Sequence, residues 1–133
     1  MTVVAAAIIR KENKIFIAQR PEGKSLAGFW EFPGGKQEQN ETLPETLQRE
    51  LREELNINVE VGDFFMKSSY QYEFGDIDIY SYWVDIDEDV MIVSNEHQNS
   101  KWVEVNELVN YKFAPADIPI VKKLFVRLDE KFS

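Results

Sequence analysis

A chain of 133 residues, 44% hydrophobic and 29% charged, carries enough apolar material for one buried core and excludes wholesale disorder. A formal net charge of −9 argues against a surface that tracks the phosphate backbone of a long nucleic acid, but a small nucleotide stays open because bound cations reverse the local field. Without cysteine there is no disulfide framework, thiolate nucleophile or cysteine-based zinc site, and His97 alone cannot supply a histidine-rich one.

The expected organisation is one domain, residues 1–133, in the cytoplasm, with no membrane span and nothing that calls for an obligate protein partner. Residues 3–9 and 14–19 read as strands around a polar turn at 11–13, an opening hairpin. A long loop follows, then a short extended piece at 30–32, which Pro33, Gly34 and Gly35 should end.

Thr42 and Glu45 form a capping-box pattern with Pro44 in the permissive first turn, so a helix starts there. Leu43, Leu47, Leu51 and Leu55 recur at four-residue spacing and supply its buried stripe. Residues 58–61, 66–73, 77–85 and 101–105 read as strands, with Gly75 and Asp76 as the turn of a second hairpin. Residues 118–128 carry apolar side chains at helical spacing and predict a closing helix.

The chemistry concentrates on the first helix, where Glu50, Glu53 and Glu54 share one face at spacings of three and four. Like charges so close repel, so such a face calls for water, basic partners or a cation. Carboxylate oxygens suit Mg²⁺, Mn²⁺ or Ca²⁺, and protein-bound Mg²⁺ usually keeps waters and substrate phosphates among its ligands. A phosphate-bearing substrate follows; a solvated helix face is the plainer alternative.

Gly35, five residues, Glu41, seven residues and then Arg49-Glu50-Leu51-Arg52-Glu53-Glu54-Leu55-Asn56-Ile57 resembles the signature box of the Nudix hydrolase superfamily. Asn56 stands where the family pattern has its last glycine, a mild departure because asparagine also tolerates the left-handed conformation that closes a helix. Residues 27–36, which enter the box, the Glu96-His97-Gln98 segment with Trp102, and Ala114-Pro115-Ala116-Asp117 resemble the MutT-like branch, of 8-oxo-dGTP diphosphatase and CTP pyrophosphohydrolase type.

The resemblance implies an α/β fold, a Nudix-type α/β/α sandwich with a mixed β-sheet between helices, and Mg²⁺-dependent hydrolysis of a nucleoside diphosphate linked to another group, Mn²⁺ being a possible substitute. Its implied substrates are oxidised or pyrimidine nucleoside triphosphates; a sugar-nucleotide or ADP-ribose hydrolase and a catalytically silent nucleotide-binding module are the alternatives. Glu53 and Glu54 become metal ligands, Glu50 a further ligand or the base, Arg49 the residue that orients these carboxylates, and the Gly34 carbonyl oxygen another ligand.

Glu96 matches an acidic position that binds metal or assists the base; Glu41 reads as a support of the metal shell or as a plain loop carboxylate, and Arg20, after a strand, as a phosphate or ribose contact or as a surface cation. Asp117 matches a base-contacting position, where an ionised carboxylate would only accept hydrogen bonds unless burial keeps it protonated. It reads equally as the N-cap of the last helix. Tyr72, Phe74, Trp30 and Phe32 carry no assignment, since aromatics in strands usually fill cores, and His97 has no partner that the sequence identifies.

Overall fold

The computed structural model describes residues 1–94, 97 and 99–132. Its centre is β1 (Thr2–Lys11), which runs parallel to β6 (Gly75–Asp85) over nine paired positions. The opposite edge of β1 is shared: β4 (Gly34–Lys36) pairs with its first half and β2 (Lys14–Gln19) with its end, both antiparallel. β3 (Trp30–Glu31) and β7 (Asn99–Glu104) extend β2, and β5 (Phe64–Tyr72) closes the far side against β6. The sheet is therefore mixed.

Side chains alternate across a strand, and β1 uses both faces. Ala6 and Ile8 join Ile15, Ile17, Ile79, Ile120 and Leu124 in one apolar cluster; Ala5, Ala7 and Ile9 join Leu47, Leu51 and Leu55 in another. The first cluster seats α2 (Ile118–Phe132) and the second seats α1 (Leu43–Leu55), so the sheet lies between helices. This is the expected α/β sandwich. Leu51 is wholly buried in that second cluster, and Leu51→Ala should lower unfolding free energy by about 2–5 kcal/mol in urea melts.

α1 begins as its sequence dictates. The Glu45 amide donates to Thr42 Oγ1 at 3.2 Å, and the Thr42 amide to Glu45 Oε1 at 2.8 Å. It ends on Asn56, whose φ of 58° and ψ of 37° are left-handed and whose amide donates to the Arg52 carbonyl.

Three local expectations are corrected. Gly34 and Gly35 do not end regular structure; they form β4, because without side chains they lie directly against the Ala5–Ala6 backbone. Residues 58–61 form no strand; Val59 and Val61 pack on the α1 cluster while both long edges of the central strands are already taken. The second hairpin turns two residues earlier than expected, at Glu73 and Phe74, with Gly75 paired to Tyr72 and its φ of 140° accommodating the return.

Candidate active site

A cleft of about 730 Å³ opens over the first half of β1 and β6. Its lining brings Gly34, Gly35, Glu50 and Glu54 together with Tyr72, Phe74, Ala116 and Asp117, and with Arg20, Glu31 and His97. Sheet topology makes this possible, since β4 carries the glycines beside α1 while β3 and the β5–β6 hairpin lie on the two sides of β1.

Glu50 sits in a cradle. A Cβ on Gly35 would collide with its carboxylate, so glycine there is what leaves the Glu50 side chain in this position. The Glu50 side chain is 15% exposed and accepts from Arg49 Nη1 at 2.8 Å. Glu53 stands further out, at 57% exposure, with one oxygen 3.5 Å from the same Nη1, and is not among the cleft's lining residues.

Arg49 is the organising cation. Its Nε and Nη2 donate to the two oxygens of Glu41 at 2.6 and 3.1 Å, a forked pair, and Nη2 also reaches the Lys36 carbonyl at 3.1 Å. Glu41 further accepts from the Glu38 amide and the buried Thr46 hydroxyl. The Arg49 hydrogen bonds above all hold the Glu41 carboxyl down to about 2, and Glu41 in turn pushes the Arg49 guanidinium up. The pair stays ionised throughout the neutral range.

The Ala7 amide donates to the Pro33 carbonyl and the Gln37 amide to the Val3 carbonyl. Antiparallel alternation then directs the Gly34 carbonyl away from β1. Among the described residues no three acidic or histidine side chains are already drawn together as a coordinated ion requires. The donor set nevertheless fits a hard divalent cation: carboxylate and carbonyl oxygens line the cleft, with the Glu50 carboxylate against Gly35. Glu96 lies outside the described residues.

Arg20 is held rather than free. Its Nε donates to the Ser25 carbonyl at 2.7 Å and its Nη1 to Glu31 Oε1 at 3.0 Å. The other Glu31 oxygen lies 3.2 Å from His97 Nε2, and His97 Nδ1 lies 3.0 Å from Ser94 Oγ. Sequence reasoning missed both Glu31 and the His97 partner. Only strand alternation, which turns Glu31 away from buried Trp30, offered a signal for Glu31.

Asp117 does not cap α2. It ends the short 3₁₀ turn Pro115–Asp117, and its Oδ2 accepts from the Phe32 amide at 2.9 Å. Burial chiefly, reinforced by nearby Glu31, pushes its carboxyl up to about 8, against the opposing pull of the Phe32 amide and Arg20. At pH 7 it is mostly neutral, with one O–H donor and acceptor capacity left. No buried side-chain oxygen or nitrogen among the described residues lacks a partner, so its second oxygen opens on the cleft. Trp30 and Phe32 are core residues, ringed by Tyr111 and Phe113 respectively, whereas Phe74 is 57% exposed.

Residues 4–123 match the NUDIX domain, and the chain belongs to that family of hydrolases, which generally use divalent metal ions. It is 42% identical to the CTP pyrophosphohydrolase of Escherichia coli K12, over 92% of this chain and 90% of that one. It is 36% identical to an 8-oxo-dGTP diphosphatase of Haemophilus influenzae, over 91% and 89%. The solution structure of MutT from methicillin-resistant Staphylococcus aureus superposes with a TM-score of 0.76 at 40% identity, covering 95% of this chain and 96% of that one.

Proposed function

We propose that this protein is a Mg²⁺-dependent nucleoside triphosphate pyrophosphohydrolase of MutT type, converting an oxidised or pyrimidine nucleoside triphosphate and water to the monophosphate and pyrophosphate. The observation that carries this reading is the single cleft joining the carboxylate face of α1 to Asp117. One nucleotide can then set its polyphosphate on the first and its base against the second.

Glu50, Glu53, Glu54 and the Gly34 carbonyl would hold Mg²⁺, with Glu96 supplying a further carboxylate from outside the described residues. The ion supplies neutralisation of phosphate charge and a lowered pKa for bound water. Glu50 is the residue we assign to proton abstraction, since it is far more sheltered than Glu53 and is aimed by Arg49. Arg49 and Glu41 hold that geometry without touching substrate. Arg20, already oriented by Glu31 and Ser25, faces the phosphate or ribose portion.

No helix among the described residues is long and apolar enough to cross a membrane. We place the enzyme's work in the cytoplasmic nucleotide pool, where its substrates reside. Initial rates at fixed Mg²⁺ across CTP, UTP, GTP, 8-oxo-dGTP and ADP-ribose test the reading. Pyrophosphate release from at least one triphosphate, abolished by EDTA and restored by Mg²⁺, is the expected result. Hydrolysis of ADP-ribose alone, or no turnover of any compound, would overturn it.

A further inference from the structure

The turn that carries Asp117 is gripped from β5 by two side chains. Ser68, a buried residue, donates its hydroxyl to the Ala116 carbonyl at 2.7 Å. Tyr72, the last residue of β5, receives the Ala116 amide on its phenolic oxygen at 2.9 Å. One peptide segment is thus fixed at both its donor and its acceptor.

The two grips differ in what they leave over. Ser68 spends its proton on the carbonyl and lines no part of the cleft. Tyr72 accepts in this bond, so its own O–H proton stays available, and among the described residues no other hydrogen bond engages it. Its oxygen lies against the Ala116 amide, and Tyr72, Ala116 and Asp117 all line the cleft. Burial raises the phenol above its ordinary value, so the proton is present at every working pH.

The ring of Tyr72 has aromatic neighbours as well. It stacks on Phe74 with centroids 4.8 Å apart and planes 9° from parallel, and its centroid lies 4.6 Å from that of Tyr70. These contacts and the Ala116 bond fix where the hydroxyl oxygen sits, which is what reading one acceptor position requires.

We propose that Tyr72 is a specificity-determining residue, whose hydroxyl donates to an acceptor atom on the substrate's base while its oxygen, through the Ala116 amide, fixes the turn that presents Asp117. This rests on the nucleotide reading above. Tyr72 and Asp117 together then offer two donors and an acceptor to one base edge, and a base lacking an acceptor at the Tyr72 position leaves that hydroxyl unpaired.

Tyr72→Phe removes only the oxygen and keeps the stack; Ser68→Ala loosens the same turn without touching the cleft. Steady-state pyrophosphate release by both full-length variants should be measured for CTP, UTP, GTP and 8-oxo-dGTP. Tyr72→Phe should change the kcat/KM ratio between two bases by about tenfold, the scale of one lost sheltered hydrogen bond, through KM and with kcat within about threefold. Ser68→Ala should leave the ratios within about twofold. Unchanged ratios in Tyr72→Phe, or the same shift in Ser68→Ala, would overturn the proposal. Should the wild type release pyrophosphate from none of the four, the nucleotide-hydrolase reading fails by itself. Tyr72 is then judged by tryptophan-fluorescence titration with the same nucleotides, where a base-dependent loss of affinity in Tyr72→Phe upholds its role and equal affinities reject it.

Discussion

Glu53→Gln and Glu54→Gln should each lower kcat on the order of a thousandfold while the melting temperature stays within about two degrees of the wild type. The substitution preserves shape and removes charge. Glu53 is 57% exposed and Glu54 only half-buried, so neither contributes enough apolar packing for its loss to unfold the helix. Removing one carboxylate from an acidic face also relieves repulsion worth roughly 0.2–0.5 kcal/mol per pair. Against that small gain stands the loss of a cation ligand, and an ion that neutralises phosphate charge contributes several kcal/mol to the transition state, about tenfold in rate for each 1.36 kcal/mol.

Circular dichroism melts and pyrophosphate release measured on the same preparations separate the two effects. A folded variant that turns over near the wild-type rate would remove that residue from the metal site. Glu50 gives a less clean test. It is 15% exposed and paired with Arg49 at 2.8 Å, so Glu50→Gln also removes one of the charges that hold the guanidinium and leaves its pairing chiefly to Glu41.

Why α1 could be read from the chain while much of the cleft could not is a matter of range. The capping box, the leucine spacing and the left-handed Asn56 are all local, each decided by residues within a few positions of one another. Hence the helix bounds, its buried stripe and the clustering of its glutamates were legible. β4 was not, because three residues with two glycines have no side-chain pattern; only the close approach of Ala5 and Ala6 makes them a strand. Residues 58–61 show the converse. Their alternation of Val59 and Val61 is real, but alternation reports burial of one face and says nothing of a free strand edge to pair with.

The rest of the cleft escaped for the same reason. Glu31 meets His97 across 66 positions, Tyr72 meets Ala116 across 44 and Asp117 meets Phe32 across 85. No spacing rule reaches that far. The ambiguity at Asp117 was likewise physical: helix-start chemistry and a buried cleft carboxyl both favour aspartate, and only the position of the Phe32 amide separates them.

Asp117→Asn should alter the pH dependence of both stability and base selectivity. A carboxyl raised from an ordinary 3.8 to about 8 binds its proton more tightly in the folded protein than in the unfolded chain. Its contribution to stability is therefore whole below about pH 4 and is lost as pH rises through about 8. Asparagine keeps an oxygen for the Phe32 amide and never ionises. Urea unfolding at pH 5, 7 and 9 should show the variant gaining on the wild type by on the order of a few kcal/mol across that span, and a difference that does not move with pH would mean Asp117 is ionised throughout. The same titration changes what the residue offers a base: donor and acceptor below about pH 8, acceptor alone above it. Wild-type activity ratios between CTP and 8-oxo-dGTP should accordingly change through that region while those of Asp117→Asn stay flat, with the Mg²⁺ dependence of both proteins nearly the same because the carboxyl is bonded to the Phe32 amide and to none of the α1 glutamates. A variant whose ratio matches that of the wild type at every pH would take Asp117 out of base recognition and leave it as a clamp on the Phe32 backbone.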